Sequence, residues 1–297
     1  MSEASFKNTT KTVFLLALLG GIFIVLGAAA NGAAGATFGF IIGIVVVFGS
    51  YWFSDTIAIK SAKAVPADRN EFPEYWEIME DLTTRAEMPM PELYISPNPQ
   101  PNAFATGRNP KNAAVAVTHG LLQQMTWDEV RGVLAHELAH IRNRDILIGS
   151  VAASIGMALT LLARLAMYGG FYGGRRSGRD GNPFASIALI ILAPLAATII
   201  RAAISRSREF QADASAARLL GDGEPLAQAL ERLELHANNH LAPKMHVNPA
   251  QASNYIINPL REELSNDLGG LGGFRKIFST HPPTEMRISE LRSGNWR

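Results

Sequence analysis

His136-Glu137-Leu138-Ala139-His140 places two imidazoles and one carboxylate at helical spacing. Residues four apart on an α-helix project from one face, about 40° apart around the axis. Both rings can then reach a single zinc ion at roughly 2.0–2.1 Å. Glu137 sits one position round the helix, beside such an ion without ligating it, where a carboxylate can take a proton from water. The chemistry this set suits is metal-assisted hydrolysis. The competing reading is a buried helix whose histidines satisfy ordinary partners, but the register of the pair and the acid beside its first ring favour a metal.

The flanking residues specify the helix. Thr126 and Glu129 form a T-x-x-E capping box, followed by Val130, Val133, Leu134, Leu138 and Ile141 at helical intervals. No proline occurs between Pro110 and Pro183, and Gly132 is the one weak position before the motif. The spacing predicts a helix over 127–145.

A catalytic zinc site takes three protein ligands and leaves one position open. Glycine and histidine at the third and sixth positions after His140 would extend the motif, but Asn143 and Ile146 stand there. Between His140 and Glu209 the acids are Asp145 and Asp180 alone. A helix continued to residue 145 rotates Asp145 off the metal face. Asp180 lies in a Gly/Arg-rich loop between two apolar runs, 146–168 and 184–204, which read as a helical hairpin. His140 stands six residues before that hairpin and Glu209 five after it. At about 1.5 Å per residue the two return to nearly the same level, so Glu209 is the expected third ligand. Its alternative is a surface ion pair with Arg206 or Arg208. Asp213, four residues on, and Asn143, three after His140, are candidates to orient the ligands from behind.

With 297 residues, 47% hydrophobic and 18% charged, the chain has room for one catalytic domain and several membrane spans. No charge occurs between Lys11 and Asp55, enough for two helices of about 20 residues turning at Asn31-Gly32. Gly35, Gly39 and Gly43 form a small-residue seam on the second. A cleaved signal peptide is the other reading of residues 1–30, disfavoured by the length of the run and the second run behind it. Lys7 and Lys11 precede the pair and Lys60, Lys63 and Arg69 follow it, which puts both ends and the next domain in the cytoplasm. The second hairpin is read as spanning too, although Arg164, Arg175, Arg176 and Arg179 run against the charge bias. Dipping into the bilayer or packing on the domain are its alternatives. The net charge of +1 gives no reason to invoke nucleic acid, and the absence of cysteine suits a chain without disulfides.

Between the first hairpin and the metal helix, residues 55–80 read as helix-rich and Pro73–Arg85 as helical. Glu92–Ile95 reads as a short strand, and 102–107 with 113–118 as a hairpin. Either hairpin strand is a candidate to hold an extended polypeptide by backbone pairing, or both are plain scaffold. Further helices are expected from Glu209 to Leu220 and from Pro225 to about Ala237. Residues 241–259 and the glycine-rich 269–273 read as loop.

HELAHIRNRD (136–145), EFQAD (209–213) and STHPPTEMRI (279–288), behind a double apolar run, together resemble the HtpX family of integral-membrane zinc endopeptidases, relatives of the CAAX-prenyl endopeptidases. The resemblance implies one zinc ion held by His136, His140 and Glu209, with Glu137 as catalytic base. It implies a mainly α membrane protein with a small β-hairpin or sheet, a gluzincin-like domain interrupted by transmembrane helices. It also implies removal of damaged or misassembled membrane proteins during envelope stress, at the plasma (inner) membrane. His281, in the third motif at a helix start, is either an oxyanion donor or a residue capping that helix. His119, His236, His240 and His246 are read as structural or exposed. The expected organisation is a membrane hairpin over 1–54, the first part of the catalytic domain over 55–145, the second hairpin over 146–204 and the remaining catalytic part over 205–297. A membrane scaffold with a structural zinc site is the rival from another class. The lack of a Cys or a further nearby His to close the site weighs against it. A prenyl-peptide processing enzyme is the third reading.

Overall fold

The structure, a computed structural model, describes residues 3–146, 206–237 and 282–297. The expected second hairpin, the loop 241–259, the glycine-rich 269–273 and His281, His240 and His246 lie outside the described residues. Helices run over Glu3–Trp52 (α1), Ser54–Ser61 (α2), Pro73–Arg85 (α3), His119–Gln124 (α4), Trp127–Arg142 (α5), Arg206–Leu220 (α6), Glu224–Ala237 (α7) and Thr284–Ser293 (α8). Strands are Val65–Pro66 (β1), Glu92–Ser96 (β2), Ala103–Asn109 (β3) and Asn112–Thr118 (β4).

Helix α1 doubles back on itself. Gly32 has φ +54°, and on either side of it Gly27 meets the backbone of Gly35, and Gly39 that of Phe23. Neither glycine has room for a Cβ, so the expected small-residue seam is where two backbone segments touch. The outward side carries exposed Phe38, Phe40, Ile41, Ile44, Val45 and Phe48. Gly32–Gly49 has mean hydropathy 2.1 with 17% of it buried, and it is the one described helix long and apolar enough to cross a membrane. A continuous exposed apolar face of this kind requires a non-aqueous neighbour.

The hairpin read from the sequence is part of a four-stranded mixed sheet, ordered β1-β2-β4-β3. The segment expected to be helix-rich over 55–80 contains β1, whose Val65 and Pro66 pair antiparallel with Ile95 and Tyr94. Strand β2 lies parallel to β4, and β3 antiparallel to it. That order makes β4 interior and leaves β3 at an edge. Alternation along β4 divides two cores. Ala113, Val115 and Val117 face the main one with Leu93, Ile95 and the helices α3 and α5. Ala114 and Ala116 face Phe104 and Ile59 of α2, small side chains that let α2 approach closely.

Helix α5 begins at the expected cap: Thr126 Oγ1 accepts from Glu129 N, and Glu129 Oε2 accepts from Thr126 N. Val130, Val133, Leu134, Leu138 and Ile141 are all buried. The helix ends at Arg142 rather than 145, because Arg144 takes φ +58° and turns the chain. Helix α6 lays Ala212, Ala216 and Ala217 in the core, and α7 adds Leu226, Ala229, Leu230 and Leu233. The last helix, α8, is fastened by buried Leu291 and Trp296, and Thr284 Oγ1 donates to Glu234 Oε2 of α7 at 2.7 Å.

Gly132, weak for a helix, marks where α5 crosses α7. A Cβ there would come to 2.5 Å from Leu226 N and 2.7 Å from Pro225 C. Alanine favours a free helix over glycine by about 1 kcal/mol. Here the sign reverses: Gly132→Ala should lower stability by about 1–3 kcal/mol through backbone overpacking, read as an earlier thermal unfolding midpoint in detergent.

Candidate metal centre

His136 and Glu137 are buried and His140 half-buried on α5. The two rings stand edge to face, and their Nε2 atoms lie 3.1 Å apart. Across from them, the first turn of α6 brings in Glu209, which is 7% exposed and therefore no surface ion-pair residue. Its Oε2 is 3.8 Å from His136 Nε2 and its Oε1 is 3.8 Å from His140 Nε2. Ligand atoms of the three residues all lie within 4.8 Å of one another. A tetrahedral zinc with bonds of about 2.0–2.1 Å separates its ligand atoms by about 3.3–3.4 Å. The three groups that the sequence singles out are thus brought together at a spacing that fits one ion.

Behind each imidazole stands a carboxylate. His136 Nδ1 lies 2.9 Å from Asp213 Oδ1, an ion-pair contact whose angle falls short of a well-formed hydrogen bond. His140 Nδ1 lies 3.2 Å from Asp145 Oδ2. Such partners orient the ring and favour the tautomer whose Nε2 lone pair points at the shared centre. Asp213, expected to orient a ligand, stands against His136. Asn143 is the C-cap of α5, its N–H donating to the Ala139 carbonyl while the Arg144 N–H donates to that of Ile141, and the carboxylate against His140 belongs to Asp145. Extending the helix to 145 turned Asp145 away; the break at Arg144 brings it back.

Sequence reasoning also left Arg287 without a role. It is 1% exposed on α8, donates through Nε and Nη2 to the two oxygens of Asp213 at 2.8 and 2.7 Å, and places Nη1 3.8 Å from Glu209 Oε2. Burial opposes ionisation of Asp213, yet the Arg287 guanidinium outweighs it and holds the carboxyl at about 2. Arg208 is buried as well, and its charge faces Asp145 and Glu209. Arg287 lies within the third motif, but only the fold shows that it is buried and what it meets. Among the described residues, the buried acids at the centre are Glu137, Asp145, Glu209 and Asp213, against buried Arg208 and Arg287. By formal charge the four carboxyl groups outnumber the two guanidiniums by two.

Without a cation the site draws in a proton. Burial lowers the pKa of His140, but Asp145 and Glu209 outweigh it and push it up to about 9. Burial likewise pushes the Glu137 carboxyl up, partly offset by the two histidines and by the Ala105 N–H, which donates to Glu137 Oε2 at 2.8 Å. Of the remaining histidines, His119 packs edge-on against Phe72 and His236 lies in the last turn of α7.

Paired helical histidines, a carboxylate from a facing helix and a second acid beside them are the donor set of the HExxH metallopeptidase class. The chain belongs to Peptidase family M48, which it matches over residues 69–295. It is 43% identical over 285 residues to the Protease HtpX homolog of Burkholderia thailandensis, covering 96% of each chain. The Protease HtpX homolog of Burkholderia mallei is similar to the same extent. Among solved structures, the crystal structure of S. mikatae Ste24p is similar with a TM-score of 0.47 and 17% identity, over 98% of this chain and 66% of that one.

Two outcomes test this geometry. Arg287→Met leaves the buried Asp213 facing the His136 ring without its guanidinium partner and should cost about 3–5 kcal/mol, and adding Asp213→Asn should recover part of that loss in chemical denaturation. His140 is protonated at neutral pH in the metal-free protein, so a divalent metal must displace that proton. Apparent metal affinity should therefore climb about tenfold per pH unit and level off above about 9. Calorimetry in buffers of different ionisation enthalpy would read one proton released per metal at pH 7.

Proposed function

We propose that the protein is a membrane-bound zinc-dependent endopeptidase that hydrolyses peptide bonds in misfolded or damaged membrane proteins. The observation that carries this reading is the convergence of His136, His140 and Glu209 with Glu137 alongside. Two imidazoles and one carboxylate, with no thiolate available in the chain, suit zinc in a catalytic rather than a closed structural site. Held there, the ion supplies Lewis acidity, lowering the pKa of water towards about 7 and polarising the scissile carbonyl. Glu137 takes the proton from the attacking water and passes it to the departing amide nitrogen. Burial raises its pKa, which favours the protonated carboxyl that receives the water proton and then hands it on. Asp213, Asp145 and Arg287 keep the two imidazoles aimed. His281, in the third sequence motif, is assigned as a donor to the oxyanion.

Strand β3 is the natural place for substrate. Ala105 directs its N–H away from β4 to Glu137, so residues of the same parity, including Ala103, turn their backbone groups to the same open edge. An extended polypeptide added there lies along the catalytic carboxylate. Segment 113–118 is interior and cannot take this role. In this reading residues 1–54 anchor the chain as two spans, 55–145 and 205–297 together build the cytoplasmic catalytic unit, and 146–204 form a second membrane hairpin. The protein then belongs to the plasma (inner) membrane and serves envelope quality control.

Two substitutions separate the roles. Glu137→Gln should abolish cleavage of an unfolded polypeptide, by at least about 100-fold, while bound zinc stays near one equivalent. Glu209→Ala should lose both zinc and activity; full retention of both would remove it from the ligand set.

A further inference from the structure

The edge strand that carries the catalytic contact is fastened at its other end to the membrane helix. Arg108, near the end of β3, lies over the indole of Trp52 at 5.1 Å and donates from Nη1 to the Trp52 carbonyl at 3.3 Å. Its Nη2 donates to Asn112 Oδ1 at 2.9 Å, so the same guanidinium joins the β3–β4 turn to the end of α1. Trp52 stacks on Phe48 at 5.4 Å and follows the apolar span Gly32–Gly49 by three residues. Phe48, Trp52 and Phe53 are 62%, 46% and 55% exposed, an aromatic group at the height where a span meets the headgroups. Helix α2, which follows α1 almost without a break, packs Ile59 on Phe104 of the same strand. Two independent contacts therefore fix β3 relative to the end of this apolar span.

Three residues separate Arg108 from Ala105, whose N–H meets Glu137. At about 3.3 Å per residue, Ala105, which holds the Glu137 carboxylate, stands about 10 Å along the strand from Arg108, which holds the indole. A polypeptide leaving the bilayer and pairing with β3 covers that distance with about three residues, and the headgroup layer adds up to about three more.

Resting on the endopeptidase reading above, we propose that the Arg108–Trp52 contact makes β3 a spacer of fixed length between bilayer and active site. The enzyme then selects juxtamembrane segments, cutting extended chain about three to six residues outside the end of a substrate's transmembrane helix. Selection is by distance from lipid more than by side chain. A folded domain abutting the membrane is excluded because it offers no extended segment at that height, whereas a segment that has lost its fold is accepted.

The experiment uses the full-length, zinc-loaded protein in proteoliposomes. Its substrate is a single transmembrane helix followed by one cleavable sequence, moved outward by Gly/Ser insertions of 0, 3, 6 and 12 residues. Mass spectrometry locates the cuts, and hydrolysis of a soluble unfolded polypeptide is followed in parallel. The expected result is a cut at constant distance from the helix in every substrate of the series, whatever residues the insertion places there. Trp52→Ala should spread the cuts over several positions and leave the soluble polypeptide's turnover within about twofold, and Trp52→Phe should restore the narrow distribution. Cuts that travel outward with the cleavable sequence overturn the spacer while leaving the peptidase intact. So does a Trp52→Ala pattern as narrow as the unmodified one. Hydrolysis of neither substrate overturns the endopeptidase reading and the spacer with it.

Discussion

Buried charge governs this protein. Helix α5 is both the central packing element of the core and the carrier of His136, Glu137 and His140, so its polar groups are sealed among apolar ones. An isolated carboxylate in such surroundings is strongly disfavoured. Each acid at the centre has a specific answer: Asp213 has Arg287, Asp145 has His140 and the nearby charge of Arg208, and Glu137 has the N–H of Ala105. Glu209 lies beside the two imidazole nitrogens. The fold thus concentrates an excess of negative charge that a divalent cation neutralises, and the raised pKa of His140 expresses the same demand as proton uptake.

The surrounding elements make that burial possible. Alanines on α6 and Gly132 on α5 allow three helices to approach closely enough to exclude water from the acids. The sheet gives α5 its other wall, and its alternating valines and alanines separate the face against the metal helix from the face against α2. Through α2 and the Arg108–Trp52 contact, the sheet is in turn tied to the apolar helix pair. One path of packed contacts runs from the exposed phenylalanines of α1 to the Glu137 carboxylate.

Much of this was legible in the residues. The cap at Thr126, the span of α3, the glycine seam of α1 and the ends of α6 and α7 all follow from local periodicity and stop signals. The third member of the cluster was singled out by an argument about length, from the nearly equal offsets of His140 and Glu209 either side of two apolar runs, and it lies beside the paired imidazoles. What local pattern did not contain is equally specific. The chain reverses at Arg144 against the preference of a non-glycine residue for negative φ, so Asp145 lands on the ring that helical extrapolation denied it. Strand β1 has two residues, too few for any alternation to register. Arg287 meets Asp213 across 74 positions of sequence, a tertiary contact that no window of residues reports.

That last contact bears on how the centre comes into being. A ribosome delivers the paired histidines well over a hundred residues ahead of the guanidinium that steadies them, with Glu209 emerging between. During elongation the half-built site has its rings but neither the facing acid nor the brace behind His136. Competence therefore arrives late in translation, when α8 docks, and a nascent chain passing among other unfolded polypeptides carries no finished blade.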